Sequence, residues 1–171
     1  MYRILMCAAA GAIAAIFAMP AKADETLKFR AVQHATSVQT LKIDANGHTI
    51  SLARTVGLVF LPDGSSAGAV LIIGTFDSVV GSEGTVDGYS IPTFTDGSEL
   101  WLKYTGTVKY IGGPTGKIAL KGTFIVTGGK GRFAGAKGDG TWEGEQNQSV
   151  AAAAQPSEAI AYVDNVINIK K

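Results

Sequence analysis

The sequence predicts an all-β fold: a single eight-stranded antiparallel β-barrel of the calycin type, with a β-sandwich as the alternative. Three observations carry this expectation. Apolar side chains recur at every second position through most of the chain, clusters of Gly, Pro, Asn and Asp interrupt them at short intervals, and helical periodicity is nearly absent. Period-two alternation marks strands with one buried face. Closure favours the barrel over the sandwich, because it alone removes exposed sheet edges.

The first segment is not part of that fold. Residues 1–23 carry Arg3, an apolar run from Ile4 to Ala18 and the small-residue site Ala21-Lys22-Ala23, the pattern of a cleavable signal peptide. The domain is then 24–171, and the expected location is periplasmic or secreted. Of 15 basic side chains Arg3 and Lys22 fall in the leader, so 13 remain against 14 acidic ones. This balance, with no basic cluster, excludes a nucleic-acid footprint. No later apolar run reaches the ~18 residues that span a bilayer as a helix, so no membrane association is expected after cleavage. The one cysteine, Cys7, leaves with the leader, which excludes disulfides. A domain of this size buries about 70% of its unfolded surface without staples.

The elements follow in order. Leu27, Phe29 and Ala31 alternate with Lys28 and Arg30 in a first strand over 25–33, and Leu41 and Ile43 suggest a short second strand ended by the Asn46-Gly47 turn. Ile50, Leu52, Val56, Leu58 and Phe60 form the apolar face of the next strand. Pro62-Asp63-Gly64 then turns the chain into a β-branched run from Ala69 to Val80. Residues 81–97, rich in Gly, Ser, Thr and Asp, read as one long loop, the kind that serves as a lid or mouth. The clearest alternation covers 99–127: Leu100, Leu102, Tyr104, Val108 and Tyr110, then Ile118, Leu120, Phe124 and Val126 after the turn Gly112-Gly113-Pro114-Thr115-Gly116. One wet face is expected for this hairpin. A strand over 140–146 puts Trp142 inward with Glu143 and Glu145 out. Residues 150–154 suit a helical turn ending near Pro156, and the β-branched weight of 160–169 favours a last strand.

Several motif matches fail on context. Gly64-Ser65-Ser66-Ala67-Gly68 has the form of a nucleophile elbow, yet a strand follows it and both histidines, His34 and His48, lie upstream. Gly129-Lys130-Gly131-Arg132-Phe133-Ala134 imitates a dinucleotide fingerprint, but Gly135, Gly138 and Gly140 deny the helix that such a site needs. Two histidines and no mature cysteine supply few ligands for a metal, and the pairs Asp63-Gly64, Asp87-Gly88 and Asp96-Gly97 lack a calcium-loop repeat. Neither a metal nor a cofactor is expected.

One stretch carries a resemblance. Thr127-Gly128-Gly129-Lys130-Gly131-Arg132-Phe133-Ala134-Gly135-Ala136-Lys137-Gly138, with the strand before it, is similar to the glycine-rich turn and aromatic plug of the allene oxide cyclase and dirigent-like barrel superfamily. The motif residues are Gly128, Gly129, Gly131, Phe133, Gly135 and Gly138. The resemblance covers Leu120 to Gly144 and implies an eight-stranded barrel with an apolar lumen, often a homotrimer, in a bacterial-type exported member. Superfamily enzymes cyclise a fatty-acid epoxide or steer phenolic radical coupling, chiefly by positioning. No catalytic residue transfers, because the first strands do not align to the family's carboxylates.

Parity with the apolar faces supplies lumen candidates instead: Gln33 with Phe29, Arg54 with Leu52 and Val56, Asp77 with Leu71 and Ile73, Tyr104 and Tyr110 with Leu102 and Val108, and Asn165 with Val163 and Ile167. A buried polar group is either satisfied structurally or used on a ligand. In the second case Arg54 binds an acidic or carbonyl group and Asp77 acts as base or orienter; in the first, Arg54 and Asp77 pair with each other or stay in water. The expectation is a barrel that takes a small apolar molecule into its lumen beneath the 81–97 loop. Cyclase or isomerase activity goes with Arg54 or Asp77 buried beside a cavity. The alternatives without catalysis are a stereodirecting protein and a structural envelope module with a filled core.

Overall fold

The computed structural model describes residues 24–150 and 153–170. The leader expected over 1–23 and part of the 150–154 turn lie outside the described residues. The strands are β1 (Glu25–Lys42), β2 (His48–Phe60), β3 (Ser66–Val79), β4 (Glu83–Phe94), β5 (Glu99–Ile111), β6 (Lys117–Lys130), β7 (Lys137–Gln146) and β8 (Ile160–Lys170). Each pairs antiparallel with the next, and β8 pairs with β1 from Glu25↔Ile169 to His34↔Ile160, closing an eight-stranded barrel. Single-turn 3₁₀ segments at Gly131–Phe133 and Pro156–Glu158 supply the short helical content.

Three local expectations are corrected. Residues 25–42 are one strand, not two: its register against β2 shifts between Ala35 and Ser37. This bulge moves the inward parity from odd positions to even ones and leaves Leu41 and Ile43 exposed. Residues 83–94 are a strand, not a loop. Their inward positions are Gly84, Val86, Gly88, Ser90, Pro92 and Phe94, mostly small side chains that give no apolar period. The third correction is the face of β2, whose inward positions are Thr49, Ser51, Ala53, Thr55, Gly57 and Val59, while Ile50, Leu52 and Leu58 are exposed.

The remaining elements follow the alternation read from the sequence. On β5 and β6 the residues from Leu100 to Val126 with apolar parity point inward, and on β8 Val163, Ile167 and Ile169 do so. Of Gly64-Ser65-Ser66-Ala67-Gly68, the first two residues close the turn and the other three begin β3; Asp63 Oδ1 accepts from the Ser65 N–H at 2.9 Å and its hydroxyl at 2.6 Å.

The interior is built from rings facing glycines. Tyr104 and Trp142 meet edge to face at 5.9 Å, and Phe124 lies 6.5 Å from Tyr104 and 6.3 Å from Trp142. A Cβ on Gly74 or Gly88 would strike the Tyr104 hydroxyl, and one on Gly106 or Gly122 would strike the Trp142 ring. A second ring series, Phe29–Phe94–Phe133, runs to the end of the barrel carrying the 131–136 turn. Phe133 is fully buried there, and Arg132 covers it with its guanidinium 4.7 Å from the Phe94 and Phe133 rings. Gly131 makes this plug feasible: its φ is +62°, and a side chain would collide with Ser98.

Gly122→Ala is expected to destabilise the barrel by about 1–3 kcal/mol, because the methyl group meets Trp142 and the Thr105 carbonyl. Outward Thr123→Ala should stay within about 0.5 kcal/mol. Urea unfolding of the two variants checks the contrast; equal losses would show that the glycine gap does not govern packing.

Candidate functional site

The barrel interior is not completely filled. A cavity of about 70 Å³ lies between the Tyr104–Phe124–Trp142 cluster and the end of the barrel where Gln146, Val150 and Ala159 sit. That exceeds the ~10–15 Å³ needed for one water and falls short of the ~300 Å³ at which drug-sized pockets begin. Its walls come from Ala31, Gln33, Ala53, Phe76, Ala161 and neighbouring side chains. Inward-facing Gln33, Thr55, Ile72, Phe76 and Val150 are only partly buried, so solvent approaches the cavity among them.

Four of the six candidates point inward. Gln33, Tyr104 and Asn165 line this cavity, whereas Tyr110 borders a smaller void and donates to Ser149 Oγ at 3.1 Å. Arg54 and Asp77 do not belong to the lumen. Both lie on the outer face, where Arg54 donates to Thr36 Oγ1 at 3.0 Å and Asp77 Oδ1 lies 2.6 Å from His48 Nε2. The pairing of Arg54 with Asp77 is therefore also wrong, as is a role for either at a lumen ligand. The cause is the inverted face of β2 and β3: the large apolar residues whose parity they share point outward. The 81–97 gate disappears with the loop.

Alternation alone missed Thr55, Ser90 and Gln146. Gln146 shares even parity with Trp142, a signal present in the sequence, whereas the parity of Ser90 with Val86 and Phe94 is hidden by the small residues on the same face of β4.

Among the described residues the cavity lining holds no charged side chain. Tyr104 is the one ionisable group among them, and burial, with the Asp87 carboxylate nearby, pushes the hydroxyl well above the usual tyrosine range. Asn165 spends its amide hydrogens on the carbonyls of Phe29 at 3.3 Å and Val163 at 2.9 Å. Gln146 Nε2 donates to the Gln148 carbonyl at 2.5 Å. Gln33 differs: its Oε1 is shielded from solvent and, among the described residues, receives no hydrogen bond.

The outer wall has two characters. Around β5–β8 and the start of β1 it is charged: Arg30 grips Asp164 through two bonds of 2.7 and 2.6 Å, holding that carboxyl below the usual range, and Lys117 pairs with Glu145 at 3.0 Å. Around β2–β4 it carries an apolar cluster. Val56, Leu71 and Ile91 stand in one cross-strand row and Arg54, Ile73 and Tyr89 in the next, with Leu52, Leu58, Ile73 and Tyr89 between 46% and 55% exposed.

Because the folded barrel resists ionising Tyr104, the unfolded chain loses that proton first, at about pH 10. Stability should fall as pH rises past that point. Tyr104→Phe removes this contribution, so urea unfolding at about pH 8 and about pH 11 should show a shallower alkaline loss in the variant. An unchanged loss would place the hydroxyl in water.

No family model and no curated protein matches the sequence. Among solved structures, a pterocarpan synthase dirigent protein is similar over 86% of this chain and 89% of its own, with 15% identity and a TM-score of 0.49.

Proposed function

We propose that this chain is an exported barrel that holds a small apolar molecule in its lumen and acts by fixing that molecule's position. The observation that supports this most is the cavity itself: apolar rings and alanine methyl groups surround a space that borders partly exposed inward residues. The absence of charge from its lining fits retention of one conformation better than proton transfer by a carboxylate. Any cyclase- or isomerase-like activity then rests on positioning. The leader over 1–23 fits delivery to the periplasm or the exterior, with a mature chain beginning at Asp24.

The test is binding of a compact neutral probe. Benzene should shift the NMR signals of the Ala53 and Ala161 methyl groups, and Ala161→Leu, which fills the space, should abolish the effect in a folded barrel. Native mass spectrometry of protein from its own host should show a retained small molecule. The small cavity volume favours a second reading, a structural envelope module with a packed core, which predicts no shift and no retained ligand.

The apolar face of β2–β4 supports self-association, since exposed patches of this kind mark interfaces. A homo-oligomer, a trimer by the resemblance noted above, would bury Leu58 and Ile73 against another copy. Leu58→Asp should lower the mass measured by light scattering to that of one chain while leaving the circular dichroism spectrum unchanged. A wild-type chain already monomeric refutes the oligomer.

A further inference from the structure

We infer that Phe76 sets the length of the molecule that the lumen accepts. It stands between the apolar cavity and a second, hydroxyl-lined space, so the barrel takes a compact neutral ring and excludes the same ring carrying a hydroxyl-tipped arm. This rests on the lumen-binding reading above and adds the size limit of the ligand and the residue that imposes it.

The second space, of about 10 Å³, is bordered by Ser51, Ser78, Tyr110 and Ser149 together with Val108 and Ile118, and its volume suits about one water. It lies nearer the barrel end than the cavity of about 70 Å³. On three strands the residue that borders it is the next inward position toward that end: Ser51 beyond Ala53 on β2, Ser78 beyond Phe76 on β3, and Ile118 beyond Leu120 on β6. Among the described residues, Phe76, Gln146 and Val150 border both spaces and so form the partition.

Of these three, Phe76 is the largest and the least restrained. Gln146 is buried and its amide donates to the Gln148 carbonyl, while Val150 lies outside the strands. Phe76 takes no part in the two ring series of the interior, whose members are all buried, and is itself only partly buried. Backbone pairing with Ser51 on β2 and Val86 on β4 fixes where its side chain starts. Small side chains, Ser51 across the sheet and Ser78 along β3, flank it beside the second space. Truncating the ring, with no movement of a strand, is then enough to join the two spaces. A molecule longer than the first space must pass Phe76, and a packed interior yields no room for extra methylene groups without strain. Once past it, a hydroxyl at the tip meets serine and tyrosine hydroxyls, whereas in the apolar cavity it loses its hydrogen-bonding partners.

Benzene and 2-phenylethanol, titrated separately into the chain from Asp24 onward, test this by NMR. The Ala53 and Ala161 methyl groups report the first space, and those of Val108 and Ile118 the second. In the wild-type chain benzene should shift the alanine signals alone, and 2-phenylethanol should bind roughly tenfold more weakly than benzene, the order that overpacking implies. Phe76→Ala should bind 2-phenylethanol roughly tenfold more tightly than the wild type, as burial of two methylene groups allows, with the Val108 and Ile118 signals now shifting. Phe76→Leu, a milder truncation, should move the affinity in the same direction. A wild-type chain that binds 2-phenylethanol as tightly as benzene, or folded variants that bind it no better than the wild type, overturns the role of Phe76 and leaves lumen binding intact. Failure of benzene to bind the wild-type chain overturns lumen binding and this inference together.

Discussion

The rest of the structure depends on one constraint: β1 must pair with β8. Once that ladder forms from Glu25↔Ile169 to His34↔Ile160, no strand has a free edge, and the sheet acquires an inside whose width is set by strand number and stagger. Side chains on the inward parity must then fill a cylinder, while those on the outward parity need only tolerate water or a partner. The Arg30–Asp164 pair sits on this seam. Both groups are largely exposed, so it helps orient the two strands more than it stabilises them.

A cylinder of fixed width admits large rings only where the opposite wall recedes. Gly74 and Gly88 recede for Tyr104, and Gly106 and Gly122 recede for Trp142. These glycines cost chain entropy on folding and are retained as packing partners within the strands. Where the inward positions are alanine, threonine and serine and no ring crosses, as around Ala53, Thr55, Ala161 and Ser90, the interior stays open. The cavity is thus the space left between the Tyr104–Phe124–Trp142 cluster and the small residues Ala53, Thr55, Ser90 and Ala161.

The wall is divided too. β2, which places Thr, Ser and Ala inside, carries Ile50, Leu52 and Leu58 outside, and Ile73 and Tyr89 extend that face across β3 and β4. β5–β7, which place rings inside, carry mainly lysine, glutamate and threonine outside, with Trp101, Ile111 and Ile125 exposed among them. Chemistry is separated in the same way: ion pairs stay on the surface, and the lumen keeps neutral amides and hydroxyls.

How much was legible in the sequence varies with the contrast between faces. On β5 and β6 apolar residues on one parity oppose mostly Lys, Thr and Glu on the other, with Trp101, Ile111 and Ile125 as exceptions, so alternation located both strands and assigned Tyr104 and Tyr110 inward; β8 behaved likewise and placed Asn165. On β1 the same reasoning placed Gln33, but the bulge at 35–37 broke the period and split the strand. On β4 alternation was invisible, because Gly88 and Ser90 face inward. On β2 it was visible and misleading. Period two shows that a strand has two faces, and hydrophobicity names the buried one only when water covers the other. By itself, then, the sequence determined an all-β chain and its principal turns, since these depend on local backbone preference and near-neighbour alternation; the plug at Phe133 was legible only through the resemblance of its glycine-rich stretch. Tertiary structure alone decided which face of β2 and β3 lines the lumen, and with it the placing of Arg54 and Asp77 outside and the isolation of the Gln33 oxygen. Those outcomes depend on the volume left by rings on strands far away in sequence, a quantity that no local pattern records.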